Sequence, residues 1–372
     1  MKFTISKNKI VNVLSKIQTL TSRKSNLAIT ECVLIQTLEN SIKLIATDLE
    51  TGFEGEYEAH IENSGITAIN SRKLYEILRE FPDESIQVRE IDNRWIEISN
   101  RHIQFHIVGL NPDDFPPFPF IEDVHFIKLD CVPFRKMIER TVLISSSADE
   151  KRAHVNGIFI EFISSDNRNI FRMVSTDISR LACVDYILPP DTDLSIPQNI
   201  LIPKKGLSEV AKFVSNEGFV YFGLTGSYLI VKKASETIII RLLDGDFPKY
   251  NVILQRDGHI VIKVDKHLFI KMLKRMSILS SDNYRGAVFK FSSDQLLITA
   301  TNPDIGESKE DMPIEFEGDL IEAAFNPRFF IDALNVIDED EILIYIYSKD
   351  KPCLIEGTVD KNYISVIMPM KI

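Results

Sequence analysis

Apolar residues follow two different periods along this chain. Between Lys7 and Gln18 they recur at three- and four-residue spacing, which buries one face of a helix. Between Ile91 and Val108 they largely alternate with polar residues, which is typical of strands. The same succession continues to the end of the chain, and the predicted helices span residues 6–18, 71–80, 133–142, 203–214, 265–276 and 326–337.

Two short markers recur at long and nearly constant intervals. Thr47-Asp48 is followed after 129 residues by Thr176-Asp177, and after a further 125 by Thr301-Asn302. Asp114-Phe115-Pro116 recurs 132 residues later as Asp246-Phe247-Pro248. An interval of this length is that of a domain and not of a solenoid repeat. The sequence therefore predicts an α+β chain of three similar domains, with bounds 1–125, 126–257 and 258–372.

Positive charge is concentrated in the predicted helices. The whole chain has a formal net charge of −11. The six helical segments hold 17 Lys or Arg against 6 Asp or Glu, a net charge of +11, so the remaining residues carry −22. Any one helix commonly exposes lysine to water, but five basic helices in an acidic chain indicate a shared basic surface. Such a surface favours loose contact with phosphates and no readout of base sequence.

Motifs of catalysis and of nucleotide binding are missing from the sequence. There is no P-loop, dinucleotide-binding or nucleophile-elbow pattern, so we expect neither enzymatic activity nor a cofactor. Asp48 and Asp177 could form a catalytic carboxylate pair, but they occupy equivalent places in two repeats. We therefore expect each to follow a strand and to accept hydrogen bonds from turn amides. His102 and His106 are expected on a strand and not at a metal site.

Cysteines and apolar runs indicate the compartment. The cysteines at positions 32, 131, 183 and 353 form no C-x-x-C pair, and we expect four buried free thiols. No apolar run reaches the roughly 20 residues of a membrane helix. The first residues lack the apolar core of a signal peptide. We therefore expect a soluble, cytoplasmic protein.

Over its whole length the sequence resembles the bacterial sliding clamp family, the β subunit of DNA polymerase III. The order and spacing of short segments carry the resemblance: Met1-Lys2-Phe3-Thr4, Ala46-Thr47-Asp48-Leu49-Glu50, Val155-Asn156-Gly157, Thr176-Asp177, Arg180-Leu181, Pro203-Lys204-Lys205-Gly206, Asp246-Phe247-Pro248, Arg285-Gly286, Phe325-Asn326 and Met368-Pro369-Met370. The resemblance implies a non-catalytic processivity factor with the DNA-clamp fold. Two chains would form a six-domain ring around double-stranded DNA, with helices lining the hole and antiparallel sheets outside.

The resemblance also implies partners and a location. The replicative polymerase, the clamp loader and repair proteins would dock through short linear motifs, without any membrane. The protein would be associated with the bacterial nucleoid.

Three groups of site residues are implied by position. The partner-peptide pocket, between the second and third domains, would be formed by Val155, Thr176, Ile178, Arg180, Leu181, Pro248, Val252, Asn326, Phe329, Val366, Met368, Pro369 and Met370. The residues facing DNA would be Arg23, Lys24, Arg72, Lys73, Arg79, Arg152, Lys204 and Lys205. The dimer contact would join Ile278 and Leu279 of one chain to Phe105 and Ile107 of the next.

This chain departs from the family pattern at two places. The family commonly has Gly-His between Thr-Asp and Arg-Leu, where this chain has Ile178-Ser179, and it commonly ends in Arg-Leu, where this chain has Lys371-Ile372. A branched residue in place of glycine would take up space at one wall of the pocket. The sequence therefore leaves open which partner motif this pocket prefers. Two alternative functions also stay open: a metal-dependent hydrolase or nuclease that uses Asp48 and Asp177, and a protein scaffold that does not bind DNA.

Overall fold

The computed structural model describes residues 1–21, 27–82, 84–118, 124–144, 152–165, 168–190, 192, 199–280 and 285–371. Its α-helices in these ranges are α1 (Lys7–Ile17), α2 (Ser71–Glu80), α3 (Cys131–Val142), α4 (Ala153–Asn156), α5 (Lys204–Phe213), α6 (Lys266–Met276) and α7 (Pro327–Asn335). Six of them confirm the predicted helices to within two residues at either end. The single turn α4 has too few residues to produce a helical period, and the sequence did not predict it.

Strands outnumber helices in each repeat. The first repeat holds β1 (Lys2–Ser6), β2 (Cys32–Thr37), β3 (Ser41–Thr47), β4 (Thr51–Glu58), β5 (His60–Asn63), β6 (Ile66–Asn70), β7 (Ser85–Glu90), β8 (Trp95–Ser99) and β9 (Gln104–Val108). The second holds β10 (Phe126–Asp130), β11 (Gly157–Ser165), β12 (Arg168–Thr176), β13 (Arg180–Leu188), β14 (Asn199–Pro203), β15 (Phe219–Thr225), β16 (Tyr228–Lys233) and β17 (Glu236–Arg241). The third holds β18 (Ile260–Asp265), β19 (Ala287–Phe291), β20 (Gln295–Asn302), β21 (Gly306–Pro313), β22 (Ile321–Phe325), β23 (Glu341–Ile346), β24 (Cys353–Gly357) and β25 (Tyr363–Ile367).

These strands form four antiparallel sheets. The two smaller sheets, β5-β1-β7-β8-β9 and β21-β20-β19-β22, each use strands of one repeat. The two larger sheets, β10-β15-β16-β17-β4-β3-β2-β6 and β14-β11-β12-β13-β25-β24-β23-β18, each combine two repeats. They are joined where β17 pairs with β4 and where β13 pairs with β25. Backbone hydrogen bonds therefore cross both boundaries between repeats.

By its contacts the chain divides into two compact units. The first comprises the described residues of 1–135 and 205–242, and the second comprises those of 136–192, 199–204 and 243–371. Each unit contains one of the eight-stranded sheets, and the middle repeat contributes to both. The predicted domain bounds at 125/126 and 257/258 follow sequence repeats, whereas the units follow sheets, so those bounds stay a prediction.

Each unit has an apolar core between its helices and its sheets. In the first unit, the Phe53 and Phe213 rings stack with centroids 4.7 Å apart. There α5 lies close to β17 at Gly206, where an added Cβ would stand 2.5 Å from Ile240 Cγ2. In the second unit, Phe289 and Phe330 stack at 5.0 Å. Burial of apolar side chains, these rings among them, is the main favourable contribution to the free energy of folding of each unit.

In two of the repeats, a lysine at the start of one helix donates a hydrogen bond to a carbonyl at the C-terminal end of a neighbouring helix. Lys7 of α1 donates from Nζ to the carbonyl of Phe81, directly after α2. Lys266 of α6, which is buried, donates from Nζ to the carbonyl of Ile337 at 2.7 Å, just beyond α7. The last carbonyls of a helix lack partners within it and carry partial negative charge, so a lysine there stabilises both helices.

Two other predictions are tested by the fold. The four cysteines are free and buried, as predicted. His106 lies on β9, with Nε2 3.4 Å from Glu97. The strand prediction is wrong for His102, which lies in the turn before β9 because Asn100 Oδ1 accepts its backbone N–H at 2.9 Å.

Candidate partner-binding and DNA-facing surfaces

The predicted pocket residues all belong to the second unit, where the turn between β12 and β13 organises them. Thr176 Oγ1 accepts the N–H of Ile178 at 3.0 Å and donates to the carbonyl of Arg180 at 2.8 Å. Asp177 Oδ1 accepts the N–H groups of Ser179 and Arg180 at 3.1 and 3.0 Å. Asp177 thus does what the sequence predicted for it, and its carboxylate serves turn geometry and not a catalytic pair.

The turn Thr47–Thr51 in the first unit repeats this geometry. Asp48 Oδ1 accepts the N–H groups of Glu50 and Thr51 at 3.1 and 2.7 Å, which confirms the prediction for Asp48. Gly52 stands where the second unit has Leu181, and an added Cβ there would lie 2.6 Å from the Phe118 ring. The first unit therefore has an aromatic side chain of its own at the place equivalent to the Leu181 side chain.

Arg180 connects the turn to α7. Its side chain is buried and donates to the carboxylates of Asp177 and Asp332, at 2.9 Å in the case of Asp177. Its guanidinium carbon lies 4.4 Å from the centroid of the Phe329 ring. A guanidinium on an aromatic face is attracted by the quadrupole of the ring. These contacts fix Phe329, half-buried, beside the turn.

An apolar cluster forms the floor of the candidate pocket. Leu181 of β13 lies opposite Val366 of β25, and both pack with Val174 and Tyr250. Ile253 contacts the same cluster from the 3₁₀ turn Asn251–Leu254. The register of β13 and β25 thus brings together residues that lie far apart in the sequence.

The sequence reasoning missed Ile253 and chose its neighbour instead. Val252 is 71% exposed and is absent from the cluster, whereas Ile253 packs against it. Val252 therefore lies at most at the rim, and Ile253 is the residue of this turn that packs on the floor. A 3₁₀ turn directs neighbouring side chains apart, but no signal in the sequence indicated this turn.

The end of the chain borders the same cluster. Met368 donates its N–H to the carbonyl of Ser179 at 2.9 Å, and Met370 donates to that of Ala324 at 2.8 Å. Met368 and Pro369 are half-buried and Met370 is 39% exposed. A row of partly exposed, flexible apolar side chains is suited to binding varied apolar ligands.

The other predicted pocket residues differ in exposure. Val155, Thr176 and Asn326 are buried, as are Leu181 and Val366 of the floor. Asn326 Oδ1 caps α7 by accepting the N–H of Arg328 at 3.0 Å. Those that reach the surface beside the floor are Ile178, Pro248, Phe329, Met368, Pro369 and Met370.

The candidate DNA-facing residues fall into two groups. Arg72 and Lys73 of α2 have side chains 78% and 66% exposed, and both contact Glu76. Arg79 and Arg152 are also exposed, whereas Arg23 and Lys24 lie outside the described residues.

Lys204 and Lys205 are held by their own unit. Lys204 is half-buried and donates to the carbonyl of Val155 at 2.5 Å, and burial lowers its pKa to about 8. Lys205 binds the carboxylate of Asp48. Lys204 and Lys205 are less exposed than the arginines and Lys73, so the latter are the better candidates for contact with phosphates.

The basic character of the helices is clearer in the structure than in the sequence. The described helices hold 17 Lys or Arg against 5 Asp or Glu, a net charge of +12, because Asp265 is the N-cap of α6 and not part of it. Three basic residues of α6, Lys271, Lys274 and Arg275, are exposed. The helices of the structure thus carry the excess of positive charge that was predicted for them from the sequence.

The candidate dimer residues lie at or beside sheet edges. β9 is an edge strand, on which Phe105 is 42% exposed and packs on Phe81 at 5.8 Å. Ile278, 74% exposed, and Leu279 belong to a 3₁₀ turn that contacts the edge strand β21. Exposed apolar residues beside open edges are typical of an interface between chains.

Two searches bear on other functions. Among the described residues there is no group of three or more His, Cys, Asp or Glu side chains that could hold a metal ion. Within the same ranges, no helix is long and apolar enough to span a membrane.

Comparison with known proteins agrees with this arrangement. Three family models match the chain: the DNA polymerase III beta subunit N-terminal domain over residues 1–119, its central domain over 128–249 and its C-terminal domain over 252–371. The chain belongs to the DNA polymerase III beta subunit family. It therefore has the fold of that family and acts as a DNA sliding clamp, a processivity factor without catalytic activity.

Relatives match this clamp over its full length. The beta sliding clamp of Chlamydia pneumoniae is 25% identical over 372 residues, covering 100% of this chain and 99% of the relative. That of Pseudomonas putida is 27% identical over 377 residues, covering 100% of both. The solved DnaN sliding clamp of Bartonella birtlesii bound to griselimycin has a TM-score of 0.93 at 25% identity, covering 100% of both chains. A putative beta subunit from Eubacterium rectale has a TM-score of 0.89 at 26% identity, with the same coverage.

Proposed function

We propose that two copies of this clamp close head to tail into a ring around duplex DNA, and that each copy tethers other proteins through its second unit. The three repeats, 1–125, 126–257 and 258–372, are the domains of this ring. It acts in the bacterial cytoplasm at the nucleoid. The polymerase, the clamp loader and repair proteins are its partners, through short linear motifs.

The apolar floor made by Leu181 and Val366 carries the proposal for motif binding. It is bordered by half-exposed Met368 and by Phe329, which Arg180 holds in place. A partner peptide with two or three apolar residues could bury them on this surface, at about 25 cal/mol for each Å² removed from water. Only a short segment is needed, which suits exchange between partners.

Two edge strands, one in each unit, support head-to-tail closure. Edge strand β9 carries exposed apolar residues and is preceded by Arg101 and His102. Edge strand β21 carries Glu307, Glu310 and Asp311 along with one lysine, and Ile278 protrudes beside it. We propose that β9 of one copy extends the sheet that ends at β21 of the other. A heterologous contact of this kind gives a closed ring when the rotations between successive copies add up to a full turn.

The basic helices support contact with DNA that does not depend on base sequence. Their exposed Lys and Arg side chains can neutralise phosphates singly, and such contacts form and break as a protein slides. If the ring encloses the duplex, topology and not affinity retains it, so weak contacts suffice.

Peptide binding tests the proposed pocket. Met368→Ala together with Met370→Ser should weaken the binding of an apolar motif peptide at least tenfold, because both changes remove contact area at the pocket border. Val359→Ser is the control, since this exposed valine lies outside the pocket set. Unchanged peptide affinity in the double variant would refute the pocket.

A further inference from the structure

Ile178 adopts a backbone conformation that its own side chain disfavours. Its φ is +79°, in the left-handed region, where a β-branched residue is a clear outlier. The hydrogen bonds of Thr176 and Asp177 impose this conformation on the turn. Glycine would adopt it without steric cost. The side chain of Ile178 is therefore present in spite of a conformational penalty.

The position of Ile178 shows what it can affect. Its side chain is 51% exposed at the tip of the turn. In the same turn the carbonyl of Ser179 accepts the N–H of Met368, and Arg180 stacks on Phe329. The turn thus contacts both the end of β25 and α7, and Leu181 of the apolar floor directly follows it in β13.

We infer that Ile178 determines which motifs the clamp accepts: it restricts the pocket border against aromatic side chains and offers aliphatic ones an added contact. This inference rests on the motif pocket proposed above. Because five hydrogen bonds that involve side chains brace the turn Thr176–Arg180, Ile178 cannot easily move aside to admit a larger group.

The first unit supplies a matched control within the same chain. Leu49 has a φ of +77° and is 48% exposed in the equivalent turn. Thr47 Oγ1 accepts its N–H at 3.0 Å, as Thr176 Oγ1 does for Ile178. Leu49→Gly removes the same strain and the same kind of apolar group at a place where Phe118 packs over Gly52. It should leave motif preference unaffected.

The experiment compares two fluorescent decapeptides that differ only in the last apolar residue, leucine or phenylalanine. Their dissociation constants are measured by anisotropy on the full-length clamp. Wild type should bind the leucine peptide more tightly. Ile178→Gly should shift the ratio of the two constants toward the phenylalanine peptide by roughly tenfold or more, the usual size of such discrimination in an apolar pocket. Leu49→Gly should keep the wild-type ratio.

The outcomes separate this inference from the proposed pocket. An unchanged ratio in Ile178→Gly, with both peptides still bound, would overturn the role of Ile178 alone. A similar shift in Leu49→Gly would also overturn it, since the effect would then come from general relaxation of the fold. If neither peptide binds wild type, or if binding is insensitive to Met368→Ala, the pocket itself is wrong.

Discussion

Arg180 is the side chain on which the order of the candidate pocket most depends. It is buried, it binds the carboxylates of Asp177 and Asp332, and it stacks on Phe329. Arg180→Met keeps much of the length and apolar volume of the side chain but removes its charge and its donors. Two carboxylates would then lose their cation, and Phe329 would lose the group that holds it.

The size of the effect follows from these contacts. Removing one partner of a fully buried ion pair costs about 3–5 kcal/mol. Asp177 is largely buried, but the Asp332 side chain is 41% exposed and water can solvate it, so we expect the ion pairs to contribute about 2 kcal/mol, below the fully buried range. A ring contact of this kind adds about 1 kcal/mol. We therefore expect a loss of about 3 kcal/mol in the local free energy that holds α7 against the turn.

Hydrogen exchange measured by mass spectrometry tests this locally, which suits a chain of several domains that need not unfold in one step. Amides of α7 should exchange roughly a hundredfold faster in Arg180→Met, since 1.4 kcal/mol is a factor of ten. Arg328→Met, an exposed change on the same helix, is the control. The Asp332→Asn variant and the double variant complete a cycle that isolates the pair. Exchange in Arg180→Met no faster than in Arg328→Met would refute the reasoning.

Three further predictions concern stability and assembly. Lys266→Met should destabilise α7 by about 2 kcal/mol, because the carbonyl of Ile337 loses a charged donor. Hydrogen exchange of the last amides of α7 measures this loss, and an unchanged exchange rate would contradict the prediction. Burial lowers the pKa of Lys204 from its ordinary 10.5 to about 8, so the unfolded chain binds more protons between these values. Stability should therefore rise with pH through that window and lose this rise in Lys204→Met, as thermal unfolding at several pH values would show; a rise of the same size in the variant would refute the assignment. Ile278→Asp should shift the solution mass from that of two chains toward that of one at micromolar concentration. Val359→Asp, a change at another exposed valine or isoleucine position, should leave the mass unchanged. A dimer in both variants would place the interface elsewhere.

Local patterns were sufficient to predict six of the described helices and the two Thr-Asp turns. Helix bounds follow mainly from the apolar period, although Asp265, predicted inside its helix, is the N-cap of α6 and accepts the N–H of Leu268 through Oδ1. Asp48 and Asp177 could be assigned to turns because equivalent places in repeats favour a shared structural role. These features depend on residues close together in the chain.

Pairing between repeats could not be predicted in the same way. Nothing in the local sequence indicates that Leu181 lies opposite Val366, 185 residues later, or that Ile253 packs upon them. The choice of Val252 instead of Ile253 shows how a shift of one residue in a short turn moves a side chain from the floor to solvent.

The contacts of buried polar side chains could not be predicted from the sequence either. The resemblance to the clamp family implied that Lys204 and Lys205 face DNA, and nothing in the local sequence indicated their contacts within the chain. In the structure Lys204 donates to the carbonyl of Val155, and Lys205 binds the carboxylate of Asp48. Burial of a lysine depends on the surrounding fold, which local sequence does not specify.

Retention on circular DNA tests the central claim most directly. The clamp is loaded onto a closed circular plasmid by a clamp loader with ATP, and the complex is passed through a sizing column in salt high enough to abolish ordinary phosphate contacts. The account predicts that the clamp stays with the circle and is released when one restriction cut makes the DNA linear. Release from the uncut circle in that salt, or equal retention on linear and circular DNA, would contradict enclosure.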